Sequence, residues 1–343
     1  MAGGVRVTSK TKFSKTKIKA TDAQIYTLVG RRTYLRIDLD ALDNNLAILR
    51  RQCSPFTDII AVVKANAYGH GSVEISRYLE SRGVGHFAVA TPEEGAQLRQ
   101  TRERHQVVLK IDTGMSRNGC QTHDFPCVIE GWDNPDFTRH QFNTFMSLTE
   151  PYRRLGVKLH VASSSAIVHG LGTNLEFIRY GANLYGLQTD ASSAEQVRSL
   201  GLKPILSWRA RPNLIKQLPQ GRTVGYGNHY ITLGTETIAT FGLGFADGYD
   251  LLLSGKGVVT LQKDGLLCPV VGKVSMDAIT VRLDEPRPSY ATFNIITDDF
   301  TSPNSLTRMS AALGMDSVEV VTKLSCRLAR VFVSGAHVEA VSH

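Results

Sequence analysis

The sequence predicts an α/β domain built on a parallel sheet, open or closed into a barrel, followed by a mainly antiparallel β domain. From about residue 33 to 190, short apolar strands alternate with helix-like segments, a pattern typical of parallel sheets. From about residue 200, strands instead follow one another through tight turns. The length of 343 residues is enough for roughly two such domains. We expect them at 33–198 and 199–343, after a basic arm at 1–32.

The first domain begins with a predicted strand at 37–39, and Asp40 is a plausible N-cap for a helix carrying Leu42, Leu46 and Leu49. The apolar run 59–63 predicts a buried parallel strand. Gly69, Gly71 and Ser72 then predict a turn and the start of a further helix. The remaining strands of this domain are predicted at 86–90, 107–111, 157–162 and 177–184.

The second domain contains a clear hairpin signal. Strands are predicted at 258–262 and 266–271, joined through Asp264-Gly265, a dipeptide that favours tight hairpin turns. A late helix is predicted at 305–313, with Asn304 as a possible cap and Gly314 at its end. The domain is therefore expected to be mainly antiparallel β.

The positive charge is concentrated at the N-terminus. Of the net charge of +8, residues 1–32 supply +7, because they hold eight basic residues and one acid. The arm is expected to be disordered or a transit peptide. The rest is nearly neutral, which argues against a nucleic-acid partner, and no apolar run is long enough to span a membrane. Five scattered cysteines form neither a disulfide framework nor a zinc spacing. We therefore expect no metal and a reducing compartment, cytoplasmic or, with a transit peptide, an organelle.

The strongest chemical signal is the segment 61–71, AVVKANAYGHG. Its lysine, Lys64, ends an apolar strand, where a buried ammonium would be costly. At the C-terminal mouth of a parallel barrel such a side chain would enter the usual active site. Desolvation there would favour the neutral amine that an imine with an aldehyde cofactor requires. The alternative is a lysine whose charged head remains in water.

This segment closely resembles the cofactor-lysine motif of the alanine racemases, and further matches follow in family order. They are 110–117 (KIDTGMSR), 160–165 (HVASSS), 178–181 (IRYG), 224–227 (VGYG), 244–248 (GFADG) and 271–277 (VGKVSMD). The resemblance covers roughly residues 33–335. It implies a TIM-like barrel plus a C-terminal β domain, pyridoxal 5'-phosphate as cofactor, alanine as substrate, and a head-to-tail homodimer with shared active sites.

The resemblance also implies roles for individual residues. Lys64 would bind the cofactor and act as one of two bases, with Tyr226 as the other on the opposite face of the substrate. Arg179 would donate to the pyridine nitrogen without giving up its proton. The resemblance further assigns cofactor contacts to Tyr68, Arg117, Ser164, Gly181 and Ala182, and substrate contacts to Arg117 and Met276. Lys110 matches a family lysine that is often carbamylated, although a plain supporting lysine is equally consistent.

The barrel domain is shorter than the resemblance requires. Eight strand–helix units need about 200 residues or more, whereas residues 58–190 suffice for about five. The linker 101–106 stands where the family has two further units, and 132–136 replaces a strand bearing a histidine. His140 is expected to be a surface residue rather than its substitute. Ser163, Phe245 and Cys326 replace a usual Asn, Tyr and Tyr, respectively.

An incomplete barrel leaves three interpretations of the missing length: an incomplete gene model or splice product, a rearranged oligomer, or a degenerate protein. The function predicted is therefore alanine racemase, with two alternatives. One is an amino-acid racemase of broader specificity, since Phe245 alters a position near the substrate opening. The other is a non-catalytic protein that still binds the cofactor through Lys64.

Overall fold

The computed structural model describes residues 18–19, 21–99, 135–168, 170–188, 195 and 197–342. They form two compact units. The first, here the β unit, comprises the described residues of Met1–Asp40 and Pro204–His343. The second, here the α/β unit, comprises the described residues of Ala41–Lys203.

The strands are β1 (Ile18–Lys19), β2 (Thr33–Asp38), β3 (Asp58–Val62), β4 (His86–Ala88), β5 (Phe177–Tyr180), β6 (Leu206–Ala210), β7 (Leu214–Leu218), β8 (Thr223–Val224), β9 (Tyr230–Ile231), β10 (Glu236–Phe241), β11 (Val258–Leu261), β12 (Leu267–Val271), β13 (Ile279–Leu283), β14 (Phe293–Ile296), β15 (Arg330–Ser334) and β16 (His337–Ser342). The helices are α1 (Asp22–Val29), α2 (Leu39–Arg51), α3 (Lys64–Tyr68), α4 (Ser72–Ser81), α5 (Pro92–Arg99), α6 (Pro135–Arg153), α7 (Ser164–Val168), α8 (Leu306–Leu313) and α9 (Ser317–Thr322). Among the described residues, none of these helices combines the length and apolarity required to cross a bilayer.

The β unit is built on one large sheet of strand order β1-β16-β15-β2-β6-β14-β11-β12-β13-β10-β7. Its pairings are antiparallel except that of β15 with β2. Trp208, Phe241, Phe293 and Phe332 lie fully buried in its core. The predicted hairpin is confirmed as β11 and β12, paired in register at Val259 and Cys268.

The first predicted strand belongs to this sheet. β2 pairs with β6 and β15, so residues 33–38 join the β unit through contacts that are distant in sequence. Helix α2 begins at Leu39, which places Asp40 inside its first turn rather than at the cap. The Asp40 carboxylate instead accepts hydrogen bonds from the Ser334 hydroxyl and the Gly335 N–H.

The late helix of the β unit is confirmed, although its cap differs from the prediction. Ser305 is the N-cap, and its hydroxyl accepts the Arg308 N–H at 3.3 Å. Asn304 is buried and donates to the Asn294 carbonyl at 2.8 Å. Gly314 ends the helix in the left-handed conformation, with φ +64°, where a side chain would be strained.

The α/β unit contains three parallel strands among its described residues, in the order β4-β3-β5. They confirm the predictions at 59–63, at 86–90 and in the first half of 177–184. Beyond β5 the chain turns into a short 3₁₀ helix, Ala182–Tyr185. The predicted strand 107–111 lies outside the described residues.

The strand predicted at 157–162 is wrong. This segment makes one backbone hydrogen bond with β5, from the Phe177 N–H to the Leu159 carbonyl at 3.1 Å. The Leu159 N–H is taken by the Glu176 carboxylate at 3.0 Å rather than by a strand. A side-chain oxygen therefore accepts an N–H that a strand carbonyl would accept in a regular sheet. The pattern of apolar residues does not reveal such a competing acceptor.

Candidate active site

Lys64 lies where the sequence places it, directly beyond the carboxyl end of β3. The four residues that follow it, Ala65 to Tyr68, all have φ between +51° and +55°. They form a left-handed helical turn, closed by i→i−4 hydrogen bonds from Ala67 to Val63 and from Gly69 to Ala65. A left-handed conformation costs roughly 1–2 kcal/mol for each non-glycine residue. Strain of this kind persists only where the surroundings impose it, and it concentrates at functional sites.

Lys64 itself is exposed within the described residues. The expectation that its amine lies in a water-poor pocket is therefore not met by the described residues of the α/β unit. Its position at the mouth of the parallel sheet is the predicted one, because β3 is flanked on both sides by β4 and β5.

The residues predicted to hold a phosphate come together at the opposite end of the left-handed turn. The Gly181 N–H donates to the Ser164 hydroxyl at 2.9 Å, and Ser164 is buried. A Cβ atom at Gly181 would lie 2.6 Å from the Tyr68 hydroxyl oxygen. Ala182 begins the 3₁₀ turn next to them. The absence of a side chain at Gly181 thus preserves a small space beside the hydroxyls of Tyr68 and Ser164 and the Gly181 backbone, here called the anion cradle, whose polar groups suit an anion.

Two aromatic residues that the sequence analysis did not assign support this cradle. The Tyr185 hydroxyl donates to the Val62 carbonyl at 2.7 Å. Its ring stacks on His70 at 4.8 Å and lies 5.2 Å from the ring of Tyr68. Burial raises the pKa of Tyr68, so its hydroxyl remains a neutral hydrogen-bond donor. The motif 61–71 contains His70, but no pattern at Tyr185 indicated its role.

Arg179 is held rigidly at the end of β5. Its guanidinium contacts the His160 Nδ1 atom at 2.6 Å and donates to the Val161 carbonyl at 3.0 Å. A guanidinium can only donate, so the His160 Nδ1 atom must accept and the proton of a neutral ring must sit on Nε2. These contacts fix the Arg179 guanidinium, a permanently charged hydrogen-bond donor that does not release its proton.

The β unit presents the other predicted residues at its surface. Tyr226 is 73% exposed and follows Gly225, whose φ of +76° favours glycine. A Cβ at Gly225 would lie 3.3 Å from the Lys273 backbone nitrogen. The loop carrying Tyr226 therefore packs against the loop that leads to Met276, which is also exposed.

An ion-pair network holds the Met276 loop. The N–H groups of Phe245 and Ala246 donate to the carbonyls of Ser275 and Met276 at 3.1 and 3.0 Å. Arg327 then joins the two segments, since it contacts the Asp277 carboxylate at 2.7 Å and that of buried Asp247 at 3.4 Å. Arg327 was not predicted from the sequence; it adjoins the exposed Cys326.

Some predicted residues are not placed together. Arg117 and Lys110 lie outside the described residues, and Lys64 and Tyr226 belong to different compact units. His140 is exposed on α6, as expected for a surface residue.

Comparison with known proteins shows two consecutive family matches. The N-terminal domain of alanine racemase matches residues 37–103, and its C-terminal domain matches residues 205–332. Alanine racemase 2 of Bacillus subtilis is 29% identical over 386 aligned positions, covering 91% of this chain and 97% of the relative. About 70 of those positions therefore have no counterpart in this chain. The N-terminal match ends at residue 103, within the linker where strand–helix units were predicted to be missing.

Solved structures match over the same extent. The alanine racemase of Clostridium difficile 630 superposes with a TM-score of 0.79 at 25% identity, covering 91% of this chain and 98% of that one. The Bacillus anthracis alanine racemase with bound L-Ala-P gives 0.78 at 25% identity, with 91% and 97% covered. The likeness confirms the predicted fold, a TIM-like barrel with a C-terminal β domain.

Proposed function

Because this chain belongs to the alanine racemase family, we propose that it interconverts L- and D-alanine with pyridoxal 5'-phosphate, using Lys64 and Tyr226 as its two bases. Enzymatic function and cofactor follow from the family; the roles of individual residues are the proposal. The observation that carries it is the left-handed turn, which joins the candidate cofactor lysine to an anion cradle one turn later.

The residues of the α/β unit fit the cofactor. The cradle at Gly181 is open only because that residue has no side chain, and Tyr68 and Ser164 place hydroxyl groups beside it. They would hold the phosphate together with the backbone at Ala182, while Lys64 would hold the cofactor covalently. Arg179 would donate to the ring nitrogen without transferring a proton. Arg117 is proposed, from the motif alone, to contact the cofactor and the substrate carboxylate.

The bound cofactor supplies an electron sink that makes the proton on the substrate Cα acidic. In one direction the Lys64 Nζ atom would take that proton on one face while the Tyr226 hydroxyl gives its own proton to Cα on the other face. In the opposite direction the two groups exchange these roles. A phenol needs nearby cationic groups to act as a base at neutral pH. Met276 would bind the substrate carboxylate through its backbone, on the loop that Arg327 and Asp277 hold.

A head-to-tail homodimer would bring Tyr226 of one subunit to Lys64 of the other. The exposure of both side chains supports this arrangement, because each is available to a second subunit. We further propose a reducing compartment, the cytoplasm or an organelle, from the scattered cysteines.

Two alternatives each have an observation in their favour. Phe245 is 44% exposed beside the Met276 loop, which favours a racemase of broader specificity. The roughly 70 missing positions favour a protein that binds the cofactor without turning it over. A panel of L-amino acids assayed for D-products tests the first; equal rates on serine or lysine would contradict alanine specificity.

The decisive experiment titrates the wild type and Lys64→Ala with pyridoxal phosphate, followed by borohydride reduction and peptide mass analysis. Lys263→Ala, an exposed lysine at the hairpin turn, is the matched control. We expect one cofactor on the peptide containing Lys64 in the wild type and control, and D-alanine formed from L-alanine. Cofactor capture without D-alanine supports the non-catalytic alternative, whereas capture by Lys64→Ala would refute the assignment of Lys64.

A further inference from the structure

We propose that Glu94 is a positioning residue that holds the left-handed turn after Lys64 in the conformation required for cofactor capture. This inference rests on the proposed function. Glu94 lies in the first turn of α5. One of its carboxylate oxygens accepts the Ala65 N–H at 2.7 Å, and the other accepts the Ala90 N–H at 2.8 Å.

These two hydrogen bonds join the carboxyl ends of neighbouring parallel strands. Ala65 follows the end of β3 by way of Lys64, and Ala90 follows the end of β4. The pairing also continues one residue past the end of β3, since the Val63 N–H donates to the Ala88 carbonyl at 2.8 Å. Glu94 therefore links the carboxyl ends of β3 and β4 at Ala65, the residue that follows the candidate cofactor lysine.

The turn requires an acceptor from outside itself. Its first internal i→i−4 bond is the one from Ala67 to Val63, and the leading N–H groups of any helical turn have no acceptor within it. The N–H of Ala65 is the leading donor at the point where the chain enters the left-handed region. Glu94 supplies its acceptor at that point, with a charged oxygen rather than a carbonyl.

Glu94 is itself fixed in a charged state. Partial burial raises the pKa of its carboxyl group, but the N–H donors of Ala90, Ala65 and Thr91 and the charge of Lys64 outweigh that effect, and the pKa lies below its ordinary value. The Thr91 hydroxyl accepts the Glu94 N–H at 3.3 Å. At neutral pH the side chain is therefore an anion whose two oxygens each accept a backbone N–H.

The conformation that Glu94 holds also positions the far end of the turn. Tyr68 is the last of its four left-handed non-glycine residues, and a Cβ at Gly181 in the anion cradle would meet the Tyr68 hydroxyl. Lys64 and Tyr68 are proposed to bind opposite parts of one cofactor. Loss of the Glu94 bonds would let the Lys64 end of the turn move independently, and would separate these two contacts.

The test compares Glu94→Gln with Glu93→Gln. Both remove one carboxylate from the same helical turn. Glutamine at 94 keeps one acceptor oxygen but faces the second N–H with a donor, so one of the two bonds is lost. For Glu94→Gln we expect the Kd for pyridoxal phosphate, measured by absorbance titration of the apo chain, to rise at least tenfold. At saturating cofactor we expect kcat to fall at least tenfold, and KM for alanine to stay within about twofold, because the residues assigned to the alanine carboxylate, Arg117 and Met276, are not part of the left-handed turn.

Glu93→Gln should match the wild type in all three quantities. If the Kd and kcat of Glu94→Gln also lie within twofold of the wild type, the positioning role is overturned while the proposed function stands. If the wild type captures no cofactor at Lys64, the proposed function fails and this inference fails with it. Should Glu94→Gln not fold, Thr91→Val removes the hydroxyl that holds Glu94 and decides the question: a rise of at least twofold in Kd supports the role, and an unchanged Kd overturns it.

Discussion

Replacement of Gly181 by alanine tests the anion cradle most directly. The added Cβ would lie 2.6 Å from the Tyr68 hydroxyl oxygen and 3.3 Å from Tyr68 Cζ, the first of which is closer than side-chain carbons normally approach. Tyr68 cannot withdraw easily, because it belongs to the left-handed turn and lies 5.2 Å from the ring of Tyr185. Overpacking of this kind costs about 1–3 kcal/mol.

The same contact decides the effect on cofactor binding. If the cost falls on the phosphate contacts, each 1.4 kcal/mol raises the Kd for pyridoxal phosphate about tenfold. Gly181→Ala is therefore expected to raise that Kd about 5- to 140-fold. Absorbance titration measures the Kd, and urea unfolding of the apo chain measures the stability.

A double-mutant cycle distinguishes a direct contact between the new Cβ at residue 181 and the Tyr68 hydroxyl from a general loss of stability. Tyr68→Phe removes the hydroxyl oxygen that the new Cβ would meet, so Gly181→Ala should cost at least 1 kcal/mol less in that background, an order-of-magnitude value for coupled neighbours. Gly85→Ala is the control, because a Cβ there meets nothing within 4 Å. An equal cost in both backgrounds, or no cost at all, would refute the reasoning.

Three further changes have defined outcomes. Ala65→Gly should stabilise the chain to urea by about 0.5–1 kcal/mol, because it relieves left-handed strain at an exposed position while adding some backbone entropy to the unfolded state; a loss of stability would contradict the strain. Burial and the hydrogen bond to Asp43 raise the pKa of Tyr78 to about 12. The contribution of protonated Tyr78 to the free energy of unfolding is therefore complete below pH 10 and is lost as the pH rises from about 10 to 12. Tyr78→Phe should abolish that part of the alkaline stability loss, and an unchanged profile would exclude Tyr78 as its source. Arg327→Ala should raise KM for alanine about tenfold with the Kd for pyridoxal phosphate unchanged, because Arg327 holds the Met276 loop through Asp277; a changed cofactor Kd would place its effect elsewhere.

Local patterns were enough for several elements. The hairpin β11–β12 could be predicted because its turn residues define their own geometry: the Asp264 side chain accepts the Leu266 N–H at 3.0 Å, and Gly265 adopts φ +73°. The strands β3 and β4 were likewise visible as short apolar runs. The segment 157–162 looked the same in sequence, but the Glu176 carboxylate takes one of its N–H groups. That competitor lies far along the chain, beyond the reach of a local pattern.

The residues of the candidate site also fall into those that the sequence identified and those that only the folded structure revealed. Lys64, Tyr68 and Gly181 were identified from the resemblance of their motifs to those of the alanine racemases. Glu94, Tyr185 and Arg327 were missed. Each is an ordinary residue type in an ordinary local context, and each acts only through a backbone group or a carboxylate brought to it by folding.

The order of residues along the chain by itself determined which reactive groups are present, because an amine, a phenol and a guanidinium follow from residue type alone. Their pKa values depend on the burial and the neighbours that folding supplies. It also determined which turns are possible, through glycine and short polar side chains. Only the tertiary structure decided the left-handed path from Ala65 to Tyr68. No local preference favours that path for alanine or tyrosine, so its energy must be supplied by distant contacts such as those from Glu94.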